Sequence, residues 1–132
     1  MSASGFVAVL VIDLHFPDAG SLKSKRKELS SIKAQLRTRL GAAVSEVAFQ
    51  DLWQRARLTA ALTGGSLNAL EAAADNLERW LLARWPEHVH VQRIVASVED
   101  LTDRVDLAAR DPLQDFRRDP GESAHTPIRT VG

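Results

Sequence analysis

Four cations crowd the predicted start of a helix, and this part of the sequence is best suited to binding an anion. The cluster comprises Lys23, Lys25, Arg26 and Lys27. A helix N-terminus already carries about half a positive charge from its aligned peptide dipoles, so acidic side chains are expected there, yet the first acid is Glu28. A bound phosphate is the simplest source of the missing negative charge, because lysine, arginine and free backbone N–H groups can surround one anion together.

The same cluster has a second interpretation, as an ordinary solvated helix face. Lysine stems can cover apolar surface while their ammonium groups stay in water, and Asp13, Asp18 or Glu28 could supply partners. The opposing helix dipole makes a binding site a stronger candidate here than in an average run of charges, and both interpretations stay open. The chain as a whole has 17 cations and 17 acids, whereas residues 22–40 hold seven cations and one acid. This imbalance predicts a localised anionic partner rather than general adhesion to nucleic acid.

A second polar stretch follows the next predicted strand. It comprises Gln50, Asp51, Trp53, Gln54 and Arg55. Trp53 and Arg55 could stack on bases or bind phosphate, as in RNA recognition. The favoured interpretation is structural, because a tight hairpin needs internal bonding. Asp51 would then bond the turn backbone, Trp53 would cover the core, and Arg55 would pair with Asp51 or Asp13. Proximity of Arg55 to the helix cations would favour a functional role instead.

The histidines and aspartates give weaker patterns. His88 and His90 would share a strand face and could begin a metal site, with His15 or Glu87 as a further ligand. Two surface histidines are the favoured interpretation. Asp13 and His15 could form an acid–base pair, but no motif marks a nucleophile for them to activate. We therefore predict no catalytic residues, no metal and no cofactor.

The periodicity of apolar residues predicts six regular elements. Strands are expected at 6–16, 44–50, 55–63 and 88–100, and helices at 22–40 and 67–85. Ser21, or alternatively Ser24, would cap the first helix, and Ser66 the second. The order strand, helix, strand, strand, helix, strand is typical of an α+β, ferredoxin-like fold (βαββαβ), with an antiparallel sheet and both helices on one face.

Several smaller features fit this arrangement. Gly64-Gly65-Ser66 lacks the spacing and the lysine of a phosphate loop, so it is predicted to be a turn and a cap. Trp80 and Trp85 are expected to be core or dimer contacts.

Both faces of the first strand are apolar, so the sheet face left bare would carry either the row beginning at Val7 or the row beginning at Phe6. Such a patch normally meets a partner, and we expect a homodimer.

Composition sets the remaining bounds. The chain has 132 residues, enough for one domain. It has no cysteine, which excludes disulfides, thiolate zinc sites and cysteine nucleophiles. No apolar segment approaches the roughly 20 residues that span a bilayer, and no secretory signal is recognisable. We expect a cytoplasmic protein without membrane contact.

The domain is placed at residues 1–101, and a polar tail at 102–132 is expected to be disordered.

Four short motifs resemble those of the YlxP-like family of small bacterial proteins. They are IDLHFP at 12–17, SLKSKR at 21–26, EV at 46–47 and QDLWQRA at 50–56. The resemblance covers about residues 5–100 and implies a ferredoxin-like fold with an uncharacterised function. It offers no established catalytic residues. In many bacteria the family's gene lies beside those for translation initiation and ribosome maturation factors, which implies a role with RNA or the ribosome.

The leading hypothesis is a non-enzymatic module that binds RNA or a ribosomal surface. Its phosphate contacts would come from Lys23, Lys25, Arg26, Lys27 and Arg55. The chain has no tyrosine and only four phenylalanines, so contact is expected through the helix end and loops rather than by stacking on strands. Two alternatives are a protein-interaction homodimer without nucleic-acid contact, and an enzyme or sensor acting on a small phosphorylated ligand.

Overall fold

The sheet confirms the predicted ferredoxin-like fold. The computed structural model describes residues 3–108. In chain order the elements are β1 (Phe6–His15), α1 (Leu22–Thr38), β2 (Ala43–Ala48), β3 (Arg55–Gly64), α2 (Leu67–Arg84), β4 (Val89–Ser97) and α3 (Val98–Ala108). The strands lie in the order β2-β3-β1-β4, and each neighbouring pair is antiparallel. No helix of the described range is long and apolar enough to cross a membrane.

One hydrophobic core lies between the sheet and the helices α1 and α2. Alternate residues of β1 point into it, from Ala8 to Leu14, and all of them are buried. The helices contribute stripes at spacings of three and four, namely Leu29, Ile32 and Leu36 from α1 and Leu70, Ala74, Leu77 and Leu81 from α2. The row Val7, Val9 and Val11 therefore lies on the open face of the sheet, opposite α1 and α2.

Local capping chemistry fixes where the two long helices begin. The Ser21 hydroxyl accepts a hydrogen bond from the Ser24 backbone N–H at 3.2 Å, and the Ser66 hydroxyl accepts one from the Ala69 N–H at 3.3 Å. Both predicted caps are confirmed. Each bond satisfies a helix donor that would otherwise lack a partner. At the far end of α2, Trp85 is buried and meets Trp80 edge to face, with ring centroids 6.0 Å apart, which confirms the predicted core role.

The last strand is shorter than predicted because a helix begins inside its expected range. The Ser97 hydroxyl accepts from the Asp100 N–H at 3.1 Å, and acidic residues occupy the first turn of α3, where they suit the helix dipole. The Val98 N–H donates to the Gly5 carbonyl at 3.0 Å. The α3 helix thus spans the boundary predicted at residue 101, while residues 109–132 of the predicted tail lie outside the described range.

Candidate anion-binding site

Lys25 is not on the surface. Its side chain is only 1% exposed, and its ammonium group donates hydrogen bonds to the carbonyls of Phe49 at 2.7 Å and Leu52 at 2.5 Å. The Glu46 carboxylate lies 3.8 Å away. The prediction that Lys25 contacts phosphate is therefore wrong, because its charge is used inside the protein.

The position of Lys25 on its helix explains this burial. Lys25 comes four residues before Leu29 and so continues the buried stripe of α1. That spacing was the signal in the sequence that could have identified it. A buried charge is tolerated only with close partners, and here the two carbonyls and Glu46 supply them. Burial lowers the pKa of Lys25 from its ordinary value of 10.5 and Arg26 lowers it further, while Glu46 and Asp51 act in the opposite direction.

The Lys25 ammonium holds the connection between β2 and β3, residues 49–54, against the first turns of α1. Phe49 adopts a left-handed backbone conformation with φ of 65°, and its carbonyl also accepts from the Leu52 N–H at 3.1 Å. The turn backbone is thus held by Lys25, where Asp51 was predicted to hold it. Trp53 is 47% exposed, so the expectation that it covers the core is wrong.

The two arginines of β3 have different partners from those predicted. The Arg55 guanidinium lies over the Phe49 ring, 4.1 Å from its centroid. Asp13 instead accepts from Arg57 Nε at 2.7 Å. The register of β1 and β3 places Asp13 directly opposite Arg57, and such cross-strand pairs interact on one sheet face. Arg57 was missed because this register is not visible in the sequence.

The other three cations of the cluster remain on the surface. Lys23, Arg26 and Lys27 are exposed in the first turns of α1. No carboxylate among the side chains that the structure describes lies within ion-pair distance of them. Glu28, a predicted partner, accepts instead from the Trp85 indole at 3.4 Å. The Lys25 hydrogen bonds join the helix turns that carry these cations to the connection that carries the exposed Trp53.

The remaining residues of the connection lie at its surface. Gln50, Asp51 and Gln54 are all exposed. The Gln54 carbonyl accepts from the Phe16 N–H at 2.8 Å, which ties the start of β3 to the end of β1. The motif residues at 12–17, 21–26 and 50–56 therefore meet at one end of the fold.

The histidine pair that the structure brings together is not the predicted one. The ring of His88, which precedes β4, meets the ring of His15 edge to face at 5.8 Å. The His15 N–H donates to the His88 carbonyl at 2.8 Å. His90 lies opposite Asp13 in the sheet. Within the described residues, no group of three or more histidine, aspartate or glutamate side chains is arranged to hold a metal ion.

Residues 7–94, more than half of the chain, match a family described as "Protein of unknown function (DUF503)". The chain belongs to this family. The uncharacterised protein YlxP of Bacillus subtilis (strain 168) is 45% identical over 38 residues, which cover 29% of this chain and 41% of that relative. The chain thus spans about two fifths of the relative's length. Both matches confirm the resemblance seen in the motifs.

Solved structures with a similar chain path have low sequence identity. The de novo designed protein Foldit4 is 9% identical at a TM-score of 0.48, covering 70% of this chain and 97% of its own. Ribosomal protein S6 of the small subunit from Thermotoga maritima is 12% identical at a TM-score of 0.43, with coverage of 78% and 97%. A dimeric ferredoxin-like protein from an uncultured marine organism is 17% identical at a TM-score of 0.35, with coverage of 70% and 88%.

Proposed function

We propose that this protein is a non-enzymatic module that binds single-stranded RNA, free or exposed on a ribosomal subunit. The observation that carries the proposal is the pair of hydrogen bonds from buried Lys25 to the carbonyls of Phe49 and Leu52. They hold the connection that carries Trp53 beside the exposed cations of α1. A cationic surface and an aromatic side chain are thereby presented together on rigid supports.

This combination suits the chemistry of single-stranded nucleic acid. Lys23, Arg26 and Lys27 can contact successive phosphates, which supplies most of the affinity in such complexes. Trp53 offers a face on which a base can stack. The helix N-terminus adds its own partial positive charge to the same region. These groups bind and orient a ligand by charge and stacking, which supports a binding role.

Direct titration tests this proposal. The protein is titrated into a fluorescent single-stranded RNA, and separately into purified small ribosomal subunits, at two salt concentrations. Three phosphate contacts give a slope of about −2 for log K against log salt, at about −0.7 per contact. Replacing Trp53 with alanine is expected to weaken binding by about tenfold, since each stacked base contributes roughly 1–3 kcal/mol.

The control for Trp53 is Leu82→Ala on α2, because Leu82 is equally exposed at 47%. This variant should bind as the wild type does. Absence of binding to both RNA and subunits would overturn the proposal, and so would affinity that is independent of salt. Absence of binding would favour the alternative in which the basic cluster meets an acidic protein surface, whereas salt-independent affinity would exclude the cations as the RNA contact.

We also propose self-association through the open face of the sheet. Val7, Val9 and Val11 are only half-buried there, and the registers place Ala61 and Ile94 on either side of Val9. A contiguous apolar surface of this kind favours a partner. Sedimentation equilibrium at tens of micromolar is expected to give twice the 14.5 kDa chain mass, and Val9→Lys is expected to give the monomer mass. A strictly monomeric wild type would contradict this.

A further inference from the structure

A shallow cleft of about 210 Å³ opens at the charged end of the sheet. Its polar lining comes from three strands and the turn before β4, and comprises Asp13, His15, Arg55, Glu87, His88 and His90. The backbone hydrogen bond and the ring contact between His15 and His88 fix these two residues side by side.

Arg55 supplies the permanent positive charge of this cleft, and this charge has no ion-pair partner among the described side chains. Its guanidinium is held against the Phe49 ring at 4.1 Å, and no carboxylate among the described side chains lies within ion-pair distance of it. Asp13, the nearest candidate by position, already pairs with Arg57. A guanidinium that stacks on a ring keeps its N–H edges free, and those edges match the oxygens of a phosphate group.

We infer that this cleft binds a phosphate group, with Arg55 as the fixed cation and the imidazoles of His15 and His88 as further donors. The phosphate could belong to an RNA backbone, in which case the inference rests on the proposed function and adds a contact to it. It could equally belong to a small phosphorylated molecule. The recognised chemistry is the same in both cases, and the two sources are distinguished experimentally.

The charges around the cleft make binding depend on pH. Asp13 and Glu87 line the cleft together with Arg55, and Asp13 is paired with Arg57. Asp18 and Glu28 line an adjoining hollow that shares His15 and His88 with the cleft. His90 is the remaining titratable residue that lines the cleft. Histidine side chains change charge between about pH 5 and 8, and protonated imidazole donates from both nitrogens. Binding of a phosphodiester, whose charge is constant over this range, is therefore tighter on the acid side of neutrality.

The first arm of the test uses inorganic phosphate and needs no RNA. NMR spectra of the histidine ring protons are recorded at pH 6.5 during a phosphate titration. The resonances of His15 and His88 should shift saturably. Arg55→Gln should weaken binding by about tenfold or more, since a charge-assisted hydrogen bond contributes about 1.5–3 kcal/mol. The exposed arginine variant Arg39→Gln is the matched control.

The second arm uses the single-stranded RNA, whose phosphodiesters keep their charge over this range. Each proton taken up on binding changes affinity by up to about tenfold per pH unit, so affinity at pH 6 should exceed that at pH 8, and the double variant His15→Gln, His88→Gln should lose this difference. Phosphate binding without binding to either RNA or small ribosomal subunits would support the cleft and overturn the proposed function. RNA binding with no phosphate-dependent shift of His15 and His88 would overturn the cleft and leave the proposed function standing.

Discussion

Replacing Lys25 with methionine is expected to lower the free energy of unfolding by about 3 kcal/mol, the scale on which losing one partner of a buried ion pair acts. Methionine keeps most of the apolar stem, so the loss comes from the ammonium. Two carbonyls would lose their hydrogen-bond donor, and the Glu46 carboxylate would lose its neighbouring cation, in a site that admits little water. Urea unfolding followed by tryptophan fluorescence measures the change as a lower midpoint.

The adjacent residue provides the control. Arg26 is exposed on the same helix turn, so Arg26→Met should change the free energy of unfolding by less than about 0.5 kcal/mol. Adding Glu46→Gln to Lys25→Met should recover part of the loss, because the uncompensated carboxylate is then removed. Equal midpoints for Lys25→Met and Arg26→Met would contradict the assignment of the ammonium to an internal role.

The same variants give a second readout in the pH dependence of stability. Because the pKa of Lys25 is lowered below 10.5 in the folded protein, the unfolded state binds more protons than the native state between the two pKa values. Stability then rises with pH in that interval. The difference in unfolding free energy between wild type and Lys25→Met should therefore increase as the pH rises toward 10.5, and should be constant below the folded pKa.

Removing the three exposed cations of α1 is expected to weaken RNA binding by about a hundredfold at 0.1 M salt. The estimate follows from three phosphate contacts, each adding about 0.7 to the slope of log K against log salt. The variant Lys23→Ala, Arg26→Ala, Lys27→Ala should also show a slope shallower by about 2. Fluorescence anisotropy with the single-stranded RNA at several salt concentrations measures both quantities.

A second triple variant separates position from charge. Lys33→Ala, Arg39→Ala, Arg79→Ala removes the same formal charge, from the rest of α1, its C-terminal flank and α2. It should keep the wild-type slope, with only a small loss of affinity from long-range attraction. If both triple variants lost affinity and slope equally, binding would depend on overall charge, and the localised site at the start of α1 would be wrong.

The features that could be predicted from the sequence are those determined by residues close together in the chain. Ser21 and Ser66 cap their helices through bonds to the third residue along, and the alternation of β1 fixes its two faces. The prediction for Lys25 was wrong because its residue type indicates the surface, whereas its position on the buried stripe of α1 indicates the core. Lysine is almost never fully buried without partners, and its partners are backbone carbonyls of a connection more than 20 residues away, which no local pattern indicates.

The charged end of the sheet could not be predicted for a related reason. Asp13 meets Arg57, and His15 meets His88, because strands from distant parts of the chain pair in one register. A shift of two residues would keep both arginines on the same face and place Arg55 opposite Asp13, so Arg55 and Arg57 could not be distinguished beforehand. The sequence pattern determined the order of the strands, while their relative alignment determined the candidate site.

The partners of the Lys25 ammonium are main-chain oxygens, which every amino acid possesses. These hydrogen bonds therefore do not depend on which side chains stand at positions 50, 51 and 53, all of which are exposed. Substitutions at these three positions can therefore change what this end of the molecule binds without disturbing the hydrogen bonds that shape the connection. A lysine in the core thus separates the shape of the exposed connection from the identity of its side chains.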